Sequence, residues 1–147
     1  MDNAGFPGAS TPQNYSDAWL HSTAALVPDG PAIDPEAPRR VYLDAACEIF
    51  CLVSPEDYAW VTQWRWKWNW DRTKTKRYAI RTPRIARGYG TYRSVTVYMH
   101  KEICARKGPP PSDLHTIGDH QDGESLNNQR GNLEWATKSM NRRNRKR

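Results

Sequence analysis

The chain has 147 residues and a formal net charge of +6, a length that allows one domain of ordinary size or two small ones. No apolar run reaches membrane-spanning length, and the N-terminus lacks the basic-then-apolar order of a signal peptide. The three cysteines, Cys47, Cys51 and Cys104, include no Cys-x-x-Cys pair, which argues against a disulfide framework and matches no zinc pattern. We therefore expect a soluble intracellular protein whose cysteines are small buried apolar groups.

Charge is distributed unevenly along the chain. Residues 1–38 carry five acidic side chains, six prolines and no Lys or Arg, which predicts a disordered or loosely attached leader. All 22 Lys and Arg follow Pro38, against 11 acidic residues, a net charge of +11. This excess predicts a polyanionic partner, although a merely solvated basic surface has the same composition.

Residues 39–108 are predicted to form a strand-rich region that contributes to DNA binding. Runs of β-branched and aromatic residues predict short strands, at 41–43, 48–53, 64–70, 77–81 and 94–98. Ser54 followed by Pro55 predicts a helix start, with the helix running to about Gln63. A second helix is predicted over Met99–Lys107, ending at Gly108 and three prolines.

Two features of this region bear on function. Trp64, Trp66, Trp68 and Trp70 alternate with polar residues, which predicts one aromatic strand face. We expect that face to belong to the core rather than to stack on bases. Between two predicted strands, the basic 84–93 segment has turns at Gly88 and Gly90. DNA contacts are predicted for Arg81, at the end of the strand before this segment, and for Arg84 and Arg87 within it, with solvated charge as the alternative.

Residues 109–147 are predicted to form a strand–loop–strand–helix module. The strands are Leu114–Ile117 and Leu133–Ala136, joined by a loop rich in turn-forming residues, and Thr137 is a suitable cap for a helix from Lys138. Asp119 and His120 stand at the end of the first strand. This order places a carboxylate and an imidazole opposite the start of the last helix.

The residue types in this module suit the hydrolysis of a phosphodiester bond. His120 can take a proton from water near neutral pH, and Asp119 is the hard oxygen ligand that Mg²⁺ or Mn²⁺ prefers. Asn141 can add an amide oxygen from the opposite side, with Asn144 as a reserve ligand on the same helix face. Asn132 is predicted to brace the loop and to fix the direction of His120.

The order Asp119-His120-x-Asp122-Gly123, then Leu126-Asn127-Asn128, then Asn132-Leu133-Glu134-Trp135-x-Thr137 and Asn141, resembles the HNH (ββα-metal) endonucleases, especially those of phages and homing introns. The resemblance implies an α+β fold, one divalent ion held by Asp119 and Asn141, His120 as general base and Asn132 as a structural residue. It also implies double-stranded DNA as the partner and, if the protein is phage-encoded, the host cytoplasm as its location. Phosphate contacts are expected from the basic helix residues Lys138, Arg142, Arg143 and Arg145.

Two other functions are compatible with the sequence. A DNA-binding protein can retain this fold without the chemistry, and it would then show salt-sensitive binding without metal-dependent cleavage. An RNA-binding protein that stacks bases on the tryptophans would instead prefer single strands.

Overall fold

The computed structural model describes residues 32–145 and shows an α+β fold, which confirms the predicted fold class. The first 31 residues, which make up most of the predicted leader, lie outside the described part, as do the last two basic residues. The strands are β1 Arg39–Tyr42, β2 Phe50–Val53, β3 Lys67–Trp70, β4 Arg77–Arg81, β5 Arg84–Gly88, β6 Thr91–Ser94, β7 Val97–Tyr98, β8 Ile117–His120, β9 Asn127–Asn128 and β10 Leu133–Ala136. The helices are α1 Pro55–Val61, α2 Met99–Lys107 and α3 Lys138–Asn144, and a 3-10 turn covers Arg130–Asn132.

The strands of the described part of the chain form four small sheets. One has the order β1-β2-β9, with β1 antiparallel and β9 parallel to β2, and a second has the order β3-β4-β7. The hairpin β5-β6 and the antiparallel pair β8-β10 make the other two. The segment predicted as a basic connection at 84–93 is therefore a β-hairpin.

One hydrophobic cluster, formed by residues within 32–145, joins the two regions that the sequence separates at residue 108. It contains Val41 and Val53 from the first region and Leu133 from the second, all fully buried. Helix α2 packs against strands on both sides of this boundary, and β2 pairs with β9 across it. The predicted 39–108 and 109–147 regions thus share one core.

Cys51 and Cys104 belong to this core, as predicted for the cysteines. The prediction is wrong for Cys47, which is exposed.

The tryptophan run is shorter as a strand than predicted, because β3 begins only at Lys67. Trp66 is 4% exposed, and its indole N–H donates to the Val61 carbonyl oxygen at 2.7 Å. Trp64 and Trp68 pack partly buried against the core, whereas Trp70 is 43% exposed. The prediction of an all-core aromatic face is therefore wrong for Trp70.

A buried carboxylate ties α1 to the loop before β10. Asp57 is fully buried and accepts hydrogen bonds from Arg130 Nη2 at 2.8 Å and Arg130 Nε at 2.9 Å. Arg106 Nε, on α2, donates to the same carboxylate at 3.2 Å. Ser54 occupies the N-cap position of α1, as predicted, but its hydroxyl makes no cap hydrogen bond and instead accepts from the Arg130 backbone N–H at 2.8 Å. These bonds hold the strand–loop–strand unit against the first region.

None of the helices within residues 32–145 combines the length and apolar character needed to cross a membrane.

Candidate functional site

Strands β8 and β10 run antiparallel, and α3 follows β10 and lies against both strands. The order strand, loop, strand and helix is the one predicted. The predicted bounds of the first strand are wrong, because it covers Ile117–His120 rather than Leu114–Ile117, so Asp119 and His120 lie within it. Thr137 Oγ1 accepts the Met140 N–H at 3.2 Å, which confirms the predicted cap. A Cβ on Gly118 would lie 3.3 Å from His100 Cδ2, so this glycine allows β8 to approach α2 closely.

A cleft of about 900 Å³ opens where β8, α3, the start of α2 and the β3–β4 loop meet. Three predicted site residues line it together, namely Asp119, His120 and Asn141. The reserve residue Asn144 also lines it. The structure therefore brings the predicted base and the predicted metal ligands to one cavity.

The imidazole of His120 is held in one orientation by a buried amide. His120 is 5% exposed and Asn128 is 1% exposed, and His120 Nε2 lies 2.9 Å from Asn128 Oδ1. The Asn128 Nδ2 group points the other way, to Met99 Sδ at 3.4 Å. Because an amide oxygen only accepts, Nε2 of the neutral ring must carry the proton. The lone pair of His120 is then on Nδ1.

Burial keeps two adjacent histidines in their neutral form. Burial lowers the pKa of His120, against the opposing effects of the Asn128 hydrogen bond and the Asp119 charge. His100, with its ring centroid 4.9 Å from that of His120, has a pKa lowered to about 3, mainly by burial and secondarily by His120. A neutral His120 at pH 7 has the protonation state that a general base requires.

Asp119 is bonded on both oxygens within the site. Its Oδ1 accepts the His120 backbone N–H at 3.0 Å, and its Oδ2 accepts Asn144 Nδ2 at 2.8 Å. Across residues 32–145, no three His, Cys, Asp or Glu side chains come together as a metal site. A cation here would therefore depend on one carboxylate and the amide oxygens of α3, which are hard donors suited to Mg²⁺ or Mn²⁺.

Asn132 lies outside the cleft and braces the loop between β8 and β9. Its Oδ1 accepts the Asp122 N–H at 3.1 Å, and its Nδ2 donates to Asp122 Oδ1 and to the Asn127 carbonyl oxygen, both at 2.9 Å. Although partial burial opposes it, the hydrogen bonds from Asn127, Glu124 N–H and Asn132 lower the pKa of Asp122. Asn132 thus acts on the loop, while Asn128 sets the direction of His120.

The predicted DNA-contacting arginines differ in how free they are. Arg81 has a side chain only 18% exposed, 3.5 Å from Glu102, and its guanidinium carbon lies 4.5 Å and 5.5 Å from the Trp64 and Trp66 ring centroids. These partners occupy the guanidinium group of Arg81, which leaves it less accessible to DNA than the other predicted contact residues. The other predicted contacts are exposed: Arg84 and Arg87 on the hairpin, and Lys138, Arg142, Arg143 and Arg145 on or beside α3.

Sequence reasoning missed several residues of this site. Asn128 looked like one of many loop-forming residues, and only its pairing in β9 explains its burial. Tyr78, whose ring centroid is 6.1 Å from that of His120, comes from β4, far away in the sequence. Two further cations that the sequence did not indicate also line the cleft, Arg72 and Lys101.

Comparisons with known proteins gave no match to a family model, to a curated protein or to a solved structure.

Proposed function

We propose that this chain is a metal-dependent DNA endonuclease of the HNH (ββα-metal) type, which cleaves phosphodiester bonds in duplex DNA. One observation carries the proposal. His120, with its lone pair on Nδ1, lines the same cleft as Asp119 and Asn141. The sequence motif gives only the order of these residues along the chain. Their shared position in one cleft is a separate observation that supports the same function.

His120 acts as the general base in this proposal. Its Nδ1 takes one proton from a water molecule, whose oxygen forms a bond to phosphorus as the bond to the leaving oxygen breaks. Because Nε2–H donates to Asn128, Nδ1 is the ring nitrogen that remains to accept this proton. The leaving oxygen takes its proton from solvent. General-base catalysis of this kind contributes about 10²- to 10⁴-fold to the rate.

The donor set in the cleft fits a hard divalent ion. Asp119 and Asn141 would hold it, with Asn144 as the alternative amide, and both asparagines line the cavity from α3. Such an ion, when bound, neutralises charge on the phosphate and on the leaving oxygen. With few protein ligands, most of its coordination positions stay open to water and phosphate oxygens.

Cations on the rim favour a polyanionic substrate. Lys76 and Arg145 line the cleft, and Lys76 Nζ donates to the Gly123 carbonyl oxygen at 2.9 Å, which places its charge beside the His120 loop. Exposed Arg142 and Arg143 extend the positive surface along α3. Contacts of this kind position a phosphate backbone without reading its sequence.

Incubation of the full chain with supercoiled plasmid and Mg²⁺ or Mn²⁺ tests the proposal. We expect nicked or linear product from the wild type, none in the presence of chelator, and product from His120→Ala at a rate lower by about 10²-fold or more. His115→Ala is the matched control, because His115 bonds to Ser112 outside the cleft. Salt-sensitive binding without cleavage by the wild type would instead support the non-catalytic DNA-binding alternative.

A further inference from the structure

The β5–β6 hairpin is a two-stranded ribbon whose strands pair only with each other among the described strands. Its ladder runs from Arg84 opposite Ser94 to Gly88 opposite Thr91, with a bulge at Arg87. The turn has three consecutive residues with positive φ, of which Tyr89 is the non-glycine member at +51°. The chain therefore holds a tyrosine at the tip of the ribbon, in a conformation that favours glycine.

Both faces of this ribbon are open. Every residue of β5 and β6 is exposed, and Tyr89 at the tip is fully so, at 107%. The cross-strand pairs put Tyr92, 57% exposed, on one face and Ile85, 43% exposed, on the other. Isolated two-stranded ribbons are marginally stable in water, so large apolar side chains on both faces indicate a partner that surrounds the ribbon.

The charge of the ribbon identifies the kind of partner. Residues 84–94 contain three arginines, Arg84, Arg87 and Arg93, and no acidic residue. Arg84 shares a face with Tyr92, its guanidinium carbon 5.2 Å from that ring centroid, whereas Arg93 pairs with Ile85 on the opposite face. A flat anionic surface such as a bilayer would meet one face only. A groove with phosphates along both walls meets both.

Dimensions decide between the two grooves of a duplex. The strands of a ribbon lie about 4.8 Å apart, and the six residues from Arg84 to Tyr89 span on the order of 20 Å. The major groove is about 12 Å wide and 8.5 Å deep, enough for a two-stranded ribbon, while the minor groove is only about 6 Å wide. We propose that the 84–94 hairpin inserts into the major groove of the DNA substrate, with Tyr89 at the groove floor. This inference rests on the proposed function for the choice of duplex DNA as partner.

Binding of the full chain to a labelled duplex, in chelator so that no cleavage occurs, tests this placement. We expect Arg87→Gln and Tyr89→Ser each to weaken binding about tenfold, the range of one lost groove contact. The matched control is Lys67→Gln, which removes an exposed cation from β3 that lies outside the hairpin and does not line the cleft. This control should bind within about twofold of the wild type.

Methylation interference on the same duplex identifies the groove. Methyl groups on guanine N7 lie in the major groove and those on adenine N3 in the minor groove. We expect guanine N7 methylation to block wild-type binding over a short run of base pairs, and Tyr89→Ser to lose part of that pattern. Interference only at adenine N3 overturns the proposal. Equal duplex binding by the two hairpin variants and the Lys67 control also overturns it. The same holds if Tyr89→Ser binds the duplex like the wild type and loses affinity only for anionic lipid vesicles.

The groove placement and the nuclease proposal can be refuted independently of each other. If the wild type cleaves plasmid while both hairpin variants bind and cleave like it, the groove placement is wrong and the nuclease proposal stands. If duplex binding depends on the hairpin but no metal supports cleavage, the groove placement stands and the nuclease proposal is wrong.

Discussion

Replacing His100 by phenylalanine is expected to remove much of the acid sensitivity of folding. His100 is 6% exposed, and its pKa falls from an ordinary 6.5 to about 3, chiefly through burial and secondarily through the adjacent His120 and Lys101. As the pH drops, the unfolded chain therefore binds a proton at this residue before the folded chain does. The stabilising effect is complete above pH 6.5 and is lost progressively as the pH falls toward 3.

The size of the effect follows from the separation of the two pKa values. For each pH unit between the pKa of the unfolded chain and that of the folded chain, one such histidine lowers the free energy of unfolding by about 1.4 kcal/mol. Between pH 7.5 and 4.5, His100 alone should lower the free energy of unfolding by about 3 kcal/mol. Phenylalanine keeps an aromatic ring in contact with Tyr78 and Tyr98 but cannot titrate. The variant should therefore retain only the smaller pH dependence that comes from His120 and the carboxylates.

Urea denaturation at the two pH values measures this effect, because the change in unfolding free energy between them cancels any constant packing difference of the variant. Tyr98→Phe is the matched control, since it alters a ring beside His100 without removing a histidine, and it should show the wild-type pH dependence. Equal losses of stability in the wild type and His100→Phe would show that burial does not hold this imidazole neutral.

Three further variants test other contacts of the site. Asn128→Ala leaves the buried Nε2–H of His120 without its acceptor, and we expect plasmid nicking to slow by up to about a hundredfold while circular dichroism stays native. Asn132→Ala removes three hydrogen bonds from the β8–β9 loop, so the Asp122 amide should exchange with deuterium about tenfold faster or more. Asp57→Ala leaves Arg130 and Arg106 without their buried carboxylate, and urea denaturation should show a loss of about 2–3 kcal/mol, moderated because both guanidinium groups stay partly exposed.

The sequence predicted local structure well wherever one short segment determines it. The helix Met99–Lys107 and the strand Arg77–Arg81 have the predicted bounds, because a glycine followed by prolines ends the first and a β-branched and aromatic run defines the second. The cap at Thr137 is confirmed for the same reason, since its acceptor and donor are three residues apart.

Features that depend on distant segments were not predictable. The basic 84–93 segment has the turn glycines of a hairpin, but its strands were missed because they lack a buried face and hence the alternation that indicates a strand. The role of Asn128 depends on the parallel pairing of β9 with β2, 75 residues earlier in the Val53–Asn128 pair. The sequence predicted a DNA contact for Arg81, because its contacts with two tryptophans and Glu102 exist only in the folded protein.

The initial rate of plasmid nicking by His120→Ala, relative to the wild type at pH 7.5 with saturating Mg²⁺, is the most direct measurement of the role assigned to the cleft. Loss of a general base should lower this rate by about 10²-fold or more, while His115→Ala keeps the wild-type rate. A wild type that leaves the plasmid intact with every divalent ion, or a His120→Ala variant that nicks it equally fast, would contradict the assignment.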